Sequence, residues 1–379
     1  KSTLLHLLGA LDSPTAGVIL SMFMALLISI KSFNYLKLNL KLVVVAIILI
    51  MILAIFSISS INEALLKPTI SIVFFIISFF YVAILHAQFK VMNASEFTLL
   101  CKYLVLLFLL IGYIGAFFHF SFLNYGLKAK SVFPYAEPGH YALIAGLIFS
   151  GFLHITTIKW QSLILVSILA LGVLFPNMTF LLYLILSISI LMKWYYSLVF
   201  LTLLSLILLV LLTLNPELLA YYSSRLILTS DSSNLTALVY IQGWQEMLSA
   251  LNSTHWVGVG FQMNGTQPTS AMAERIFSIA GIYKNRSDGA FLAGKIISEF
   301  GVVGIFLVAL LSKQICKSFL FLKGQLNNRY LRDKKLVFSH AVVFSFIIEL
   351  FFRGNGYFSP SLMFMLIFLA YIKRPQKMR

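Results

Sequence analysis

The sequence predicts an all-α polytopic membrane protein with about 11–12 transmembrane helices and one large periplasmic loop that contains an amphipathic helix. Three observations predict this fold class. Hydrophobic residues make up 60% of the 379 residues and charged residues only 11%, which leaves too little polar surface for a soluble domain of this length. Apolar runs of about 20 residues, the length that crosses the hydrocarbon core, recur along the chain. Lysine and arginine are concentrated in the short links between those runs.

The apolar runs give the predicted order of membrane spans. Phe175-Pro176-Asn177 interrupts one long apolar stretch, and because proline and asparagine favour turns, we split that stretch into a tight hairpin. Predicted boundaries are accurate to about 2–4 residues. The predicted spans lie near residues 17–30, 42–60, 69–86, 98–121, 140–157, 161–175, 178–192, 196–213, 292–312, 337–352 and 357–372.

The placement of cations predicts the orientation of these spans. One set of alternating links, which includes residues 313–335 and the tail 373–379, carries seventeen basic residues, and the opposite set carries nine. Short cytoplasmic links are enriched in Lys and Arg, so the first set and the C-terminus are predicted to be cytoplasmic. With about eleven spans the N-terminus is then outside, and one more span would place both ends inside.

The net charge of +16 raises the question of a nucleic-acid partner. Because the cations are spread over the links and not gathered on one face or arm, we predict no nucleic-acid binding. The two cysteines, Cys101 and Cys316, lie in an apolar run and in a basic link, without other metal-binding residues nearby in the sequence. We therefore predict no disulfide between them, no bound metal and no cofactor.

Residues 1–17 differ in character from the chain that follows. This segment, which runs from Lys1-Ser2-Thr3 to Thr15-Ala16-Gly17, resembles the end of a Walker A loop and the following helix in ATPases of lipoprotein-release ABC transporters. The glycines that bind phosphate in such a loop precede the lysine and do not stand in this sequence, so we predict no ATP chemistry. We interpret residues 1–17 as a foreign or non-functional stub; a leucine-rich first helix is the alternative.

The rest of the chain divides into three parts by composition. Residues 18–213 are predicted to form transmembrane helices 1–8, and residues 214–291 the large periplasmic loop. Residues 292–379 are predicted to form transmembrane helices 9–11 and a basic cytoplasmic tail. Polar residues that do not serve as membrane anchors are concentrated in three extracytoplasmic stretches.

The first polar stretch is Phe133-Pro134-Tyr135-Ala136-Glu137-Pro138-Gly139-His140. If the next helix begins near Pro138, the carboxylate of Glu137 lies at its N-terminus, where the helix dipole favours negative charge. His140 follows within one helical turn. Glu137 and His140 are therefore candidates for acid–base chemistry, and the structural alternative is a helix-capping glutamate beside an interfacial histidine.

The second polar stretch is the large loop. Apolar residues recur at helical spacing over residues 237–251, which predicts an amphipathic helix that lies along the membrane, and Gly258-Val259-Gly260-Phe261-Gln262 predicts a flexible turn. Planar guanidinium groups grip phosphate oxygens bidentately, so arginines in this loop suit a pyrophosphate ligand. Solvated loop charges are the alternative. The charged residues in question are Arg225, Arg275, Lys284, Arg286 and Asp288.

The third polar stretch is the short hairpin Phe352-Arg353-Gly354-Asn355-Gly356-Tyr357. Arg353 stands on the side of the membrane where positive charge is disfavoured. Glu349 lies about one helical turn earlier and is predicted to pair with Arg353. Both readings remain open, a purely structural ion pair and a functional arginine.

Taken in this order, the stretches resemble the Wzy family of O-antigen polymerases. Residues 133–138 are similar to the family's glutamate–proline signature, and residues 234–245 to its central-loop segment. Residues 258–262, and residues 287–291 followed by 298–301, are similar to later parts of the family. The resemblance runs from about residue 20 to the C-terminus. The sequence departs from the family at the paired arginine–glycine motifs of two periplasmic loops, which do not occur here at matched spacing.

The resemblance implies polymerisation of lipid-linked oligosaccharides at the periplasmic face of the bacterial inner membrane. A growing glycan leaves one undecaprenyl pyrophosphate and joins the non-reducing end of the sugar on another. The resemblance also implies a metal-independent glycosyltransferase without cofactor. Its partners are undecaprenyl-pyrophosphate-linked oligosaccharides, membrane lipid and a chain-length regulator protein of the same pathway.

Such a reaction needs positive charge at the departing pyrophosphate and a base at the acceptor hydroxyl. The candidates for pyrophosphate binding are Arg225, Arg286 and Arg353, with Arg275 behind them. The candidates for catalysis are Glu137, His140 and Asp288. An O-antigen ligase, which uses lipid A-core as acceptor, is an alternative. A repeat-unit flippase is another, and it should carry charges deep within several helices.

Overall fold

The computed structural model describes residues 47–48, 51–53, 66–118, 132, 135, 137–232, 234–327 and 333–373. These residues are helical or irregular, with an isolated β-bridge between Val132 and Tyr135. Three helices are long and apolar enough to cross a membrane by length and composition, and five further apolar helices are shorter. The predicted class, an all-α membrane protein, is confirmed.

The helices follow the predicted apolar runs from 69–86 onward. The run near 17–30, most of the run near 42–60, and the stub 1–17 lie outside the described residues. The helices are α1 (Leu66–Val91), α2 (Ala94–Phe117), α3 (Pro138–Leu153), α4 (Ile158–Leu174), α5 (Met178–Leu191), α6 (Trp194–Thr213), α7 (Pro216–Leu226), α8 (Leu235–Ser253), α9 (Ala271–Ala280), α10 (Leu292–Gly324), α11 (Lys334–Ser345), α12 (Ile347–Phe351) and α13 (Pro360–Ile372).

Local sequence explains where several helices begin. Asn93 and Glu96 form a capping box at the start of α2, and the side chains of Asn177 and Ser359 accept backbone hydrogen bonds at the starts of α5 and α13. Each such cap satisfies an N–H group that has no partner within the helix. The hairpin predicted around Pro176 is confirmed, because α4 ends at Leu174 and α5 begins at Met178.

Helix α3 lies at the centre of the bundle. It is buried on all sides from Tyr141 to Leu153, as expected for a helix that is apolar all round. Gly146 allows the ring of Tyr183 to approach the α3 backbone, since a Cβ there would overlap that ring. Helix α6 is the opposite case, because large apolar side chains are exposed along most of its length. Such a surface suits lipid and not water.

One end of the bundle collects the polar stretches, and we call it the polar-loop end. Here the Asn177 side chain donates a hydrogen bond to the Pro138 carbonyl over 2.9 Å. The Gly354 N–H donates to the Ala290 carbonyl, also over 2.9 Å. These bonds join the start of α3, the α4–α5 hairpin, the end of the large loop and the hairpin of Arg353.

The opposite end collects links rich in lysine, and we call it the lysine end. Lys335 Nζ donates to the carbonyls of Phe89 and Met92 at the end of α1. Lys323 Nζ donates to the Met192 carbonyl after α5 over 2.6 Å. Both lysines satisfy carbonyls that a helix C-terminus leaves unpaired, where the helix dipole is negative.

The large loop is folded into helices. The helix predicted over residues 237–251 is confirmed as α8, and α7 and α9 flank it. Aromatic residues of α8 pack on Phe291 at the start of α10, with ring centroids 5.5 Å away for Tyr240 and 4.8 Å for Trp244. Leu238 forms a small core with Met272 and Ile276 of α9. The loop is therefore a packed layer over the polar-loop end.

Helix α10 is broken at Gly301, where φ is 55° and ψ is −129°. Residues of α10 before the break are almost all buried, whereas Val302 and Val303 just after it are exposed. Val259 N–H donates to the Ser298 carbonyl over 2.9 Å, and Gly260 N–H donates to the Glu299 carbonyl over 3.0 Å. The turn predicted at residues 258–262 is present, but it is tied to the break and not free.

Replacing Gly301 by Ala should destabilise the protein strongly. The new Cβ would overlap the Trp256 carbonyl oxygen, and an L-residue at this φ is strained, so we expect a loss of about 2–4 kcal/mol. Gly324→Ala is the matched control, because nothing lies within 4 Å of a Cβ at that end of α10. Thermal unfolding of the purified variants in detergent checks this, and equal melting temperatures would contradict it.

Candidate functional site

An ion pair between Glu137 and Arg353 lies at the polar-loop end. Arg353 Nη2 and Glu137 Oε2 are 2.9 Å apart, with side chains 30% and 37% exposed. Glu137 occupies the N-cap position of α3, but its side chain makes no capping hydrogen bond there. The carboxylate therefore lies at the positive end of the α3 dipole and interacts with the arginine, which goes beyond the capping role proposed as the alternative.

Two glycines make this pair possible. A Cβ on Gly139 would overlap the guanidinium group of Arg353, so only glycine lets that group lie against the first turn of α3. A Cβ on Gly354 would come within 2.6 Å of the Leu292 backbone nitrogen. The hairpin that carries Arg353 is thus packed closely on the start of α10 and directed at the start of α3.

Arg225 is the second arginine of this region. It lies in the last turn of α7, with its guanidinium carbon 3.8 Å from the centroid of the Tyr221 ring. Its Nε is buried and has no hydrogen-bond partner among the described residues. Burial lowers the pKa of Arg225, and the charge of Arg353 also lowers it. Arg225 and Arg353 are therefore close enough to repel each other.

The Tyr221 hydroxyl lies close enough to Arg225 and Arg353 for both positive charges to act on it. Burial raises the pKa of the Tyr221 hydroxyl, and the charges of Arg225 and Arg353 oppose that rise. The guanidinium group of Arg353 is paired with the Glu137 carboxylate, and Arg225, stacked on Tyr221, adds a second positive charge within electrostatic range of Arg353. A partly desolvated region of net positive charge attracts an anion, and paired guanidinium groups suit phosphate oxygens. We call Glu137, Arg353, Arg225 and Tyr221 the arginine site.

His140 keeps its predicted place near this site. It lies in the first turn of α3 and is half-buried. Its backbone N–H donates to the Glu137 carbonyl over 3.2 Å. An imidazole within one helical turn of the carboxylate is compatible with the predicted acid–base role.

Arg286 is held by other parts of the large loop. Its Nε lies 2.9 Å from Glu246 Oε1, and its Nη2 donates to the Gln267 carbonyl over 2.7 Å. The side chains of Arg286 and Glu246 are 15% and 5% exposed. An arginine whose donors already bind carboxylate and carbonyl oxygens is poorly placed to receive a pyrophosphate, so we leave Arg286 out of the arginine site.

Arg275 and Asp288 lie in other neighbourhoods. Arg275 is on α9, 3.8 Å from the exposed carboxylate of Asp231. Asp288 is exposed and lies close enough to Lys67, at the start of α1, for their charges to interact. The structure therefore brings Glu137, His140 and Arg353 together, with Arg225 in electrostatic range of Arg353, whereas Arg275 is paired with Asp231 and Asp288 interacts with Lys67.

The predicted pair between Glu349 and Arg353 is wrong. Helix α12 ends at Phe351, so Arg353 lies beyond the helical segment in which a spacing of four residues brings side chains together. Arg353 reaches Glu137 instead. The buried Glu349 carboxylate accepts a hydrogen bond of 2.6 Å from the Ser359 hydroxyl.

Sequence reasoning missed a buried ion pair below the hairpin of Arg353. Lys295 Nζ and Glu299 Oε1 are 3.2 Å apart, and the side chains are 1% and 0% exposed. Lys295 Nζ also lies 3.4 Å from Gln262 Oε1 and 5.2 Å from the centroid of the Tyr357 ring. The sequence alone could have predicted this pair, because opposite charges four residues apart in an apolar helix are expected to pair.

The described residues offer no metal site: no group of three or more His, Cys, Asp or Glu side chains among them is placed to hold an ion. The arginine site instead supports electrostatic and acid–base chemistry. Guanidinium groups stabilise negative charge on phosphate oxygens, and a carboxylate accepts a proton from a nearby hydroxyl.

The two ion pairs should differ sharply in their effect on stability. Lys295→Ala leaves a carboxylate buried without its partner, for which we expect a loss of about 3–5 kcal/mol. Glu137→Ala breaks a half-exposed pair, for which we expect a loss of about 1 kcal/mol or less. Thermal unfolding of both variants in one detergent gives the comparison, and a Glu137→Ala loss as large as that of Lys295→Ala would refute it.

Comparisons of this chain with protein-family models, with curated proteins and with solved structures gave no match. The resemblance to the polymerase family therefore remains a prediction. The function has to be inferred from the residues of the arginine site and from the elements that hold them.

Proposed function

We propose that this chain is an O-antigen polymerase, a glycosyltransferase that joins lipid-linked oligosaccharides. The observation that carries the proposal is the arginine site. Arg225 is half-buried, and its Nε has no hydrogen-bond partner among the described residues; it lies within electrostatic range of Arg353, which is paired with the Glu137 carboxylate. This arrangement has unsatisfied positive charge and a proton acceptor in one place.

The two arginines have the properties that a pyrophosphate leaving group requires. When the bond between the sugar and the pyrophosphate breaks, its electron pair moves onto a phosphate oxygen, and positive charge lowers the barrier to that step. Arg225 is held in place by its stack on Tyr221. Arg353 is held by the close packing of Gly354 on α10. Groups fixed before the reaction need no reorganisation during it.

Glu137 is the proposed proton acceptor. The acceptor hydroxyl forms the new bond to the anomeric carbon, and its proton passes to the Glu137 carboxylate. The products are a lengthened glycan on the acceptor lipid and a released polyprenyl pyrophosphate. The cleaved sugar–pyrophosphate bond supplies the energy, so the reaction consumes no ATP. His140, one helical turn away, is the proposed second acid–base group.

The distribution of charge supports an orientation with this site in the periplasm. Lys323 and Lys335 lie at the end of the bundle opposite the arginine site, and lysine-rich short links favour the cytoplasm. We propose the inner membrane of a bacterium as the location. Polyprenyl-linked substrates, membrane lipid and a chain-length regulator protein are the proposed partners.

The alternatives make different demands on the same region. An O-antigen ligase would use the same pyrophosphate donor, so the arginine site alone does not distinguish it from a polymerase. A flippase needs charges that line a path between the two sides of the membrane. The buried charges Lys295 and Glu299 neutralise each other and lie under the hairpin of Arg353, which favours a site at one face.

Deleting the gene and resolving the surface polysaccharide on a gel tests the reaction. A polymerase predicts loss of the long-chain ladder while a core with one repeat unit is retained. Loss of every repeat unit would favour the ligase or the flippase and would contradict the proposal.

Restoring the gene with single substitutions tests the site. Arg225→Ala, Arg353→Ala and Glu137→Ala should each reduce polymerisation by about 10²–10³-fold, the range seen when one stabilising group is removed from an active site. Arg275→Ala is the matched control, because the Nε of Arg275 is also buried without a hydrogen-bond partner among the described residues, but this arginine lies on α9 beside the exposed Asp231. A full ladder from all three site variants would rule out the arginine site.

Lysine substitutions separate charge from geometry. Arg353→Lys keeps the positive charge but loses the planar fork that binds two oxygens at once. We expect it to retain only part of the activity, above Arg353→Ala and below the unaltered protein. Ladder lengths compared at equal protein levels measure this. Full activity of the lysine variant would show that charge alone is sufficient.

A further inference from the structure

The turn between α8 and the Gly-rich segment of the large loop lies against the break of α10. Trp256 carbonyl oxygen accepts a hydrogen bond of 2.9 Å from the Val302 N–H, directly after Gly301. We call residues 254–258 the Trp256 turn. The tip of the turn therefore lies beside Gly301 and Val302, where the buried part of α10 ends and its exposed part begins.

The side chains of the Trp256 turn change character along its length. Asn252 and Ser253, at the end of α8 just before the turn, and His255 within it are exposed polar residues. Trp256 and Val257, which follow, are apolar and 53% and 56% exposed. A polar-to-apolar change over so few residues is typical of a segment that crosses from the headgroup region to the hydrocarbon region of a bilayer.

The apolar tip is continuous with the exposed surface of α10. Val302 is 58% exposed and Val303 44% exposed, and Phe306 follows one turn later at 62%. Helix α10, taken as a whole from Leu292 to Gly324, has the length and composition of a membrane span. Exposed apolar residues on such a helix face lipid, so the adjacent tip at the start of that surface faces the same medium.

The backbone N–H groups from Trp256 to Gly260 all have partners within the protein. The Trp256 N–H donates to the Leu251 carbonyl, and the N–H groups of Val257 and Gly258 donate to the carbonyl and the hydroxyl of Thr254. The N–H groups of Val259 and Gly260 donate to the carbonyls of Ser298 and Glu299 on α10. Irregular backbone is tolerated at membrane depth only where the protein itself supplies these partners. A turn in water has no such requirement.

The backbone also adopts an unfavourable conformation at the tip. His255 and Trp256 have positive φ values of 49° and 69°, in the left-handed region that side chains with a Cβ rarely occupy. Glycine would relieve this strain, and the chain has histidine and tryptophan instead. Trp256, a residue type that is enriched at membrane interfaces, is thus held in a strained conformation.

We propose that the Trp256 turn is immersed in the bilayer, in the leaflet at the polar-loop end, with Trp256 and Val257 against the lipid. The partner is the lipid surface itself. The large loop is then anchored to the membrane at this turn as well as covalently at α6 and α10. The anchor fixes the depth of the Gly-rich segment, whose Phe261 packs against Tyr357 of the Arg353 hairpin at 5.7 Å.

Quenching of tryptophan fluorescence by brominated lipid tests the proposal, and it does not depend on any enzymatic activity. Trp160, Trp194 and Trp244 are replaced by Phe, and the protein is placed in nanodiscs of phospholipid with or without bromine on the acyl chains. Trp256 emission should be lost for the most part in the brominated nanodiscs, and aqueous iodide should have little effect.

Two outcomes overturn the proposal. Quenching by iodide without quenching by brominated lipid would place the turn in water. Insensitivity to both quenchers would mean that a second copy or another protein surface covers it.

A second measurement avoids the triple replacement. The otherwise unaltered protein is compared with Trp256→Phe, a conservative change. The amount of emission that brominated lipid removes should fall in Trp256→Phe by the share that Trp256 contributes. An unchanged amount would also overturn the proposal.

Discussion

Backbone groups that leave a helix inside the apolar part of a membrane protein must find partners within the protein, because lipid offers none. At Gly301 this chain breaks α10, and residues 259 and 260 supply donors to the carbonyls of Ser298 and Glu299. The same bonds fix Phe261, which stacks against Tyr357 of the Arg353 hairpin. The position of Arg353 beside Glu137 therefore depends on how the break at Gly301 is satisfied.

Two ion pairs in this region have different physical roles. Lys295 and Glu299 are fully buried and neutralise each other, so either charge alone would be unfavourable there. Glu137 and Arg353 are partly exposed, and Arg225 adds a second positive charge beside them. The first pair holds elements together, and the second leaves a net charge that a ligand can satisfy. The difference in burial, and not the type of residue, separates the two roles.

The sequence by itself determined the fold class and much of the helix order. Long apolar runs must be helical in lipid, and caps such as Asn93 and Asn177 act within a few residues of where they stand. Composition also located the polar stretches that contain Glu137, Arg225 and Arg353, and helical spacing predicted α8. These features are local, so residues close in the sequence are sufficient to predict them.

Only the tertiary structure decided which arginines are already paired with carboxylates of the protein. Arg286 and Arg225 look alike in the sequence, but Arg286 is paired with Glu246, 40 residues away. The partner of Arg353 is Glu137, 216 residues away, and not the neighbouring Glu349. Spacing along a helix predicts a pair only while the helix continues, and α12 ends before Arg353. Side chains joined across such distances along the chain meet only because the folded bundle brings their elements to one end.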